Sequence, residues 1–183
     1  MPIITGTTGA DTLTGTSGDD TIDGREGADV IHGGDGNDVL ESGYTSTAVQ
    51  ASMNVGSRTN PFFISYFVIN DPGGNRLYGE AGNDTLTGGT NDILDGGVGD
   101  DLLQAIALGE LFTVPVGRPI TMIGGDGNDQ IIVSGYRATV DGGSGDDIID
   151  YRSGYAGRVT TGSGSDLVIV APAMAYVIGN PDG

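Results

Sequence analysis

The chain contains no cysteine, no tryptophan and a single histidine, His32. Without cysteine there is no disulfide framework, and without Cys/His clusters there is no zinc finger. Basic residues are scarce: 7 Lys plus Arg stand against 25 Asp plus Glu, a formal charge of -18 over 183 residues. Such a surface repels phosphate, which excludes nucleic acid as a partner. Long apolar runs are also missing. The longest, around residues 167–178, is too short and too broken for a transmembrane helix. The opening stretch Met1-Pro2-Ile3-Ile4-Thr5-Gly6 has neither the basic region nor the apolar region of a secretory signal peptide.

Catalytic signatures are absent as well. No G-x-S-x-G elbow, G-x-x-x-x-G-K-[ST] loop or H-E-x-x-H string occurs, and the G-x-G pairs open no helix. His32 has no candidate nucleophile beside it and reads as a solvent-facing residue. The chain is not read as an enzyme on its own. A glycosidase-type carboxylate pair is not ruled out by sequence, but the aspartates have another explanation.

What is abundant is glycine, 35 residues of it. A glycine-rich, strongly acidic chain either stays disordered or folds when cations neutralise it. Period decides between the two. From Gly6 the sequence reads GTTGADTLT, GTSGDDTID, GREGADVIH and GGDGNDVLE, ending at Glu41. Later come GEAGNDTLT from 79, GGTNDILD from 88 (one residue short), GGVGDDLLQ from 96, GGDGNDQII from 124, GGSGDDIID from 142 and TGSGSDLVI from 161. The repeating unit is Gly-Gly-x-Gly-x-Asp-x-apolar-x. Six loop residues alternate with three strand residues, and the glycines permit positive φ and close backbone approach.

The eighth position should point inward and be apolar in every copy. Across both sets of strands it is Leu13, Ile22, Ile31, Leu40, Leu77, Leu86, Leu94, Leu103, Met122, Ile131, Val140, Ile149, Val159, Val168 and Val177. No polar residue interrupts that ladder.

On these repeats the chain resembles the RTX family, whose hemolysin-type nonapeptide binds calcium. The resemblance covers most of the length. It implies an all-β fold: a parallel β-roll, a right-handed β-solenoid with two nonapeptides per turn of about 18 residues and loops on alternate sides. The whole of 1–183 is then one calcium-binding domain.

The copies sort by side. Side B loops start at 15, 33, 79, 96, 124, 142 and 161, and all keep glycine at position four and aspartate at position six: Asp20, Asp38, Asp84, Asp101, Asp129, Asp147 and Asp166. Position five is Asp, Asn or Ser throughout. Side A begins with Asp11 and Asp29 and then decays through Asn75, Asp92 in its shortened loop, and Ala138. Side B is therefore expected to be a complete metal face, and side A to be partly released for other uses.

Calcium takes about 6–8 oxygen ligands, more than one loop supplies. The resemblance implies an ion sandwiched between loops one turn apart on the same side. Each aspartate then bridges neighbouring sites, and carbonyls from positions one and three of the fuller loops complete the shell: Gly33, Asp35, Gly96, Val98, Gly124, Asp126, Gly142 and Ser144. Six gaps on side B and one between Asp11 and Asp29 give about seven ions, which would bring the charge of -18 to about -4. Without metal the stacked aspartates repel one another, so the chain is expected to fold only on binding calcium. Magnesium, which dehydrates reluctantly, is expected to fail. The bland reading, solvated turn aspartates, does not account for seven in register. The EF-hand string is absent.

Two insertions interrupt side A. The segment 42–70 contains Asn60-Pro61-Phe62-Phe63-Ile64-Ser65-Tyr66-Phe67-Val68-Ile69 and is expected to form extra strands or a hairpin beside the roll. The segment 105–118, with Ile106, Leu108, Leu111 and Phe112, is expected to be a packing loop rather than a long helix. Towards the C-terminus, positions expected to face outward are apolar: Ile132, Val133, Ile148, Leu167, Ile169, Val170, Tyr176 and Ile178. That suggests cover by a second copy or a following domain. The final Gly179-Asn180-Pro181-Asp182-Gly183 reads as a further side B loop cut short, as in a fragment of a longer protein.

RTX proteins are exported unfolded by type I secretion, so the resemblance implies an extracellular or cell-surface protein. Its role is then a calcium-dependent stabilising and presenting module. Two alternatives stay open: an accessory polysaccharide-binding module of a secreted epimerase, lipase or protease, and an adhesin or surface-layer spacer. Thr12, Thr14, Thr85 and Thr87 form no continuous array of the kind ice binding needs.

Overall fold

A computed structural model describes residues 1–43, 49–54, 63–68, 74–89, 91–105, 119–135, 137–154, 157–170 and 176–178. Among them the chain is all strand. In order these are β1 (Ile3–Thr5), β2 (Thr12–Thr14), β3 (Thr21–Asp23), β4 (Val30–Asp35), β5 (Val39–Glu41) and β6 (Val49–Asn54). Then follow β7 (Phe63–Val68), β8 (Arg76–Ala81), β9 (Thr85–Gly88), β10 (Ile93–Val98), β11 (Leu102–Ala105) and β12 (Ile120–Asp126). The last are β13 (Gln130–Gly135), β14 (Ala138–Ser144), β15 (Ile148–Gly154), β16 (Arg158–Thr160), β17 (Leu167–Val170) and β18 (Tyr176–Ile178).

Two eight-stranded sheets result. One runs β1-β3-β5-β9-β11-β13-β15-β17, the other β18-β16-β14-β12-β10-β8-β4-β2. Successive strands of the roll alternate between the sheets, and their pairings are parallel, as in β10 with β8 and β12. This is a parallel β-roll. The exception is β6 with β7, an antiparallel pair lying in sequence between β5 and β8. Most of the second insertion, 106–118, lies outside the described residues. No helix long and apolar enough to cross a membrane occurs among the described residues.

The reason for a roll is local. A three-residue strand offers one inward side chain, and glycine-rich bends on either side let the chain reverse at once. The inward side chains then stack in one column on each sheet. Ile31 pairs with Leu77 across the 46-residue gap between their turns, and Leu94 with both Leu77 and Met122. On the other sheet Ile22 pairs with Leu40, and Leu40 with Leu86. Ile22, Ile31, Leu40, Leu77, Leu86, Leu94, Leu103, Met122, Ile131, Ile149 and Val159 have no exposed surface, while Ile4, Leu13 and Val168 at the ends are partly covered. Each buried aliphatic contributes about 1.5–3 kcal/mol. One such residue per strand makes a thin core, so the bends must also hold the coils together.

They do so by backbone contact. Gly127 has φ +132°, and a Cβ there would stand 2.6 Å from the carbonyl carbon of Gly99, one turn back. Only glycine fits such a stack. Position two is less strict: Arg25 and Glu80 occupy it at φ 67° and 77°, a strained conformation for a side chain with a Cβ.

On side A the core spreads into the bends once the repeat has decayed. Ala105, Ile120, Val133, Ala138 and Tyr151 are all buried there. Val133 therefore corrects the sequence expectation: it is 2% exposed rather than outward-facing. It follows Ile131 by two residues in the same strand, so the alternation that turns Ile131 inward turns Val133 inward too. Ile148, Leu167 and Val170 do face solvent, while Ile132 and Ile169 are half-buried. The side chains of Tyr176 and Ile178 lie outside the described residues.

Tyr151 is 1% exposed, and its hydroxyl accepts the Ala138 N–H at 3.3 Å. A Cβ on Gly157 would overlap that hydroxyl. Tyr151→Ala should therefore destabilise the roll by about 3–5 kcal/mol. Tyr151→Phe should cost only about 1 kcal/mol. Thermal denaturation would compare the two, and equal losses would contradict a packing role.

Candidate metal sites

Side B is organised by its position-six aspartates. In each bend the aspartate N–H donates to Oδ1 of the corresponding aspartate one turn on. Asp20 donates to Asp38 at 2.8 Å, Asp38 to Asp84 at 2.7 Å and Asp84 to Asp101 at 2.8 Å. Asp101 donates to Asp129 at 2.8 Å, Asp129 to Asp147 at 2.9 Å and Asp147 to Asp166 at 3.1 Å. The side chain thus spans two coils with one oxygen. From Asp20 to Asp147 these aspartates are at most 3% exposed, and Asp166 is half-buried.

A second ladder, at position five, runs the opposite way. Here the N–H of the later coil donates to the side chain of the earlier one. Asn37 donates to Asp19, Asn83 to Asn37, Asp100 to Asn83, Asn128 to Asp100, Asp146 to Asn128 and Ser165 to Asp146, all at 2.8–3.0 Å. The sequence carries the signal for this ladder, an Asp, Asn or Ser at every position five, but not the direction of the bond.

With Oδ1 used by the backbone, the other carboxylate oxygen decides the chemistry. Oδ2 of Asp29, Asp38, Asp84, Asp101, Asp129 and Asp147 is buried and has no hydrogen-bond partner. A buried carboxylate oxygen left this way is costly unless something positive meets it. Burial is the main reason these groups titrate high. Asp101 is pushed up to about 7, and Asp84 and Asp147 to about 6, with neighbouring aspartates adding to the rise and the backbone N–H opposing it. Asp29, Asp38 and Asp129 shift in the same direction for the same reason.

Each such oxygen faces a main-chain carbonyl across a cradle that a side chain at position one would fill. A Cβ on Gly33 would meet Asp38 Oδ2 and the carbonyl oxygen of Gly79. The same arrangement joins Asp84 with the Gly96 carbonyl, Asp101 with Gly124, Asp129 with Gly142 and Asp147 with Thr161. On side A, the Cβ position of Gly24 lies 2.7 Å from Asp29 Oδ2 and 3.1 Å from the Ser42 carbonyl oxygen.

The position-one carbonyls of Gly96, Gly124 and Gly142 therefore each stand opposite a partnerless aspartate oxygen. That of Gly33 stands opposite Asp20. The position-three carbonyls differ: Val98, Asp126 and Ser144 accept the N–H of Gly82, Gly99 and Gly127 at 2.9, 2.7 and 2.7 Å. Each of those oxygens keeps one further lone pair. Asp35 stands at the equivalent position, paired with Ala81.

No group of three or more carboxylate or imidazole side chains converges among the described residues. Side-chain carboxylates alone would not fill an ion's shell there, and main-chain carbonyls stand beside them. Anionic, all-oxygen, partly main-chain donor sets suit a hard cation with a large, adaptable shell, which is calcium rather than zinc or a thiophilic metal.

Side A holds fewer such cradles. Asn75 keeps the ladder, accepting the Asp29 N–H at 2.7 Å, but supplies no carboxylate. Asp92 has both oxygens engaged: Oδ1 accepts the N–H groups of Gly74 and Asn75, and Oδ2 that of Gly89, at 2.8–2.9 Å. The shortened loop has folded onto its own aspartate. Asp11 sits one turn before Asp29 and donates its N–H to Asp29 Oδ1 at 2.8 Å. His32 lies on the outer face, its Nδ1 2.8 Å from Glu80 Oε1 and its ring stacked on Tyr78 at 5.0 Å.

No curated protein matches the chain. Among solved structures it is similar to the extracellular lipase LipA from Serratia marcescens, at 19% identity and a TM-score of 0.23. That match covers 81% of this chain and 32% of the lipase chain, so the chain spans about a third of the lipase's length. The RTX calcium-binding nonapeptide repeat is found in four copies over residues 5–40, 69–103 and 123–155, more than half of the sequence, and the chain belongs to that family.

Proposed function

We propose that the chain is a calcium-dependent folding module of an exported protein, a roll that becomes compact when it meets external calcium and then holds the attached parts in place. The observation that carries this reading is the set of six buried, partnerless Oδ2 atoms, each opposite a main-chain carbonyl. A chain of charge -18 with only 7 Lys and Arg has few cations of its own to set against them. Ions between the coils neutralise the aspartates, and their binding energy becomes folding energy. A calcium-poor cell interior would keep such a chain unfolded and so competent for export. Exposed Ile148, Leu167 and Val170 mark the end of the roll where a following domain or a second copy would pack.

Titration followed by circular dichroism tests the reading. Strand signal should rise with calcium and not with the same concentration of magnesium. Asp101→Asn keeps the Oδ1 acceptor, as Asn75 does naturally, and removes only the metal-facing oxygen. It should move the calcium midpoint upward by several-fold. A strand signal already complete in chelator, or equal response to both cations, would reject the proposal.

A further inference from the structure

We infer that the first bend on each side of the roll closes without metal, with a threonine in the place of the ion. The inference rests on the calcium reading above and concerns where the ion stack begins. Position two of the first bend is Thr7 on side A and Thr16 on side B. Thr7 donates both its N–H, at 2.6 Å, and its hydroxyl, at 2.8 Å, to Asp11 Oδ2. Thr16 donates its N–H and, at 2.9 Å, its hydroxyl to Asp20 Oδ2. That is the very oxygen left without a partner in six later bends.

The backbone explains the difference. Gly34, Gly43, Gly97, Gly125, Gly143 and Gly162 all hold position two at positive φ. Arg25 and Glu80, which also occupy that position, share the conformation. Thr7 and Thr16 are not among the positive-φ residues. A β-branched residue strongly disfavours that region. Threonine therefore keeps the ordinary conformation, in which its N–H turns into the bend and the hydroxyl follows. Two hydrogen bonds to one ionised oxygen compensate its desolvation.

The threonine donors do not reach the other oxygen of Asp20. The residue is fully buried, and its partnerless oxygen is Oδ1, the atom that in later coils accepts an N–H from the preceding turn. No earlier side B bend precedes it in the described chain. An ion at Asp11 or Asp20 would have to displace both threonine donors. The ion stack then begins at Asp38 on side B and Asp29 on side A. The roll carries six ions rather than seven, and Thr7 and Thr16 close its first described bends in their place.

Native mass spectrometry of the folded full chain in calcium reads the ion count directly. The unaltered chain should hold six. Asp20→Asn should leave six, whereas Asp38→Asn should leave five. Thr16→Gly removes the hydroxyl and admits positive φ, so it should gain a seventh ion. Seven or more ions in the unaltered chain, an ion lost with Asp20→Asn, or no ion gained by a folded Thr16→Gly would each overturn the inference while leaving the calcium reading intact. No bound calcium at all would overturn both. Should Thr16→Gly fail to fold, the contrast between Asp20→Asn and Asp38→Asn decides.

Discussion

Removing calcium should expand the chain to nearly three times its folded radius. For 183 residues a compact domain has a radius of gyration of about 16 Å and an unfolded chain about 46 Å. Small-angle scattering in excess chelator should approach the second value and return towards the first when calcium is restored. The size of the effect follows from the core. Two narrow columns of aliphatic side chains, one on each sheet, with a few further buried residues on side A, cannot offset both the conformational entropy of the coils and the mutual repulsion of aspartates linked from turn to turn. Ordinary domains keep part of their structure when a surface ion leaves; here the ions would sit between successive turns. A radius that stays near the compact value in chelator would contradict this account.

Acid should partly replace the metal. Asp101 titrates at about 7 and Asp84 and Asp147 at about 6 in the folded, metal-free roll, against an ordinary 3.8. Between pH of about 4 and 7 the folded state therefore binds more protons than the unfolded chain. By linkage its stability falls as pH rises through that window. The metal-free chain should be most ordered at or below about pH 4 and lose that order towards pH 8. Calcium reverses the trend, because protons compete for the same oxygens, so its apparent affinity should climb over the same range. Circular dichroism across pH, once in chelator and once with calcium, separates the two arms. A metal-free chain more ordered at pH 8 than at pH 5 would refute the sign.

Much of the architecture is legible in the sequence because the period is short and nearly unbroken. The apolar ladder from Leu13 to Val177 appears in the folded chain in register, with Leu40 paired to Leu86 despite the insertion between them. The position-six aspartates are legible for the same reason. What is not legible depends on the signs of dihedral angles and on strands that outrun the repeat. Thr16 and Gly34 occupy the same position, yet one closes on Asp20 and the other stands at positive φ. Val133 and Tyr151 fall just beyond the nonapeptide's strand, where the period no longer says which way a side chain points. Continuation of the pleat in β13 and β15 turns them inward.

The position-six ladder of side B also has a bearing on how such chains diversify. Its rungs join residues 18, 46 and 28 positions apart at 2.8, 2.7 and 2.8 Å. Whatever length of polypeptide is spliced into the opposite bends, the spacing of the aspartate column is unaffected. Evolution, or an engineer, can thus graft foreign segments along one margin while the other keeps its pitch, much as books of any thickness of cover share one binding.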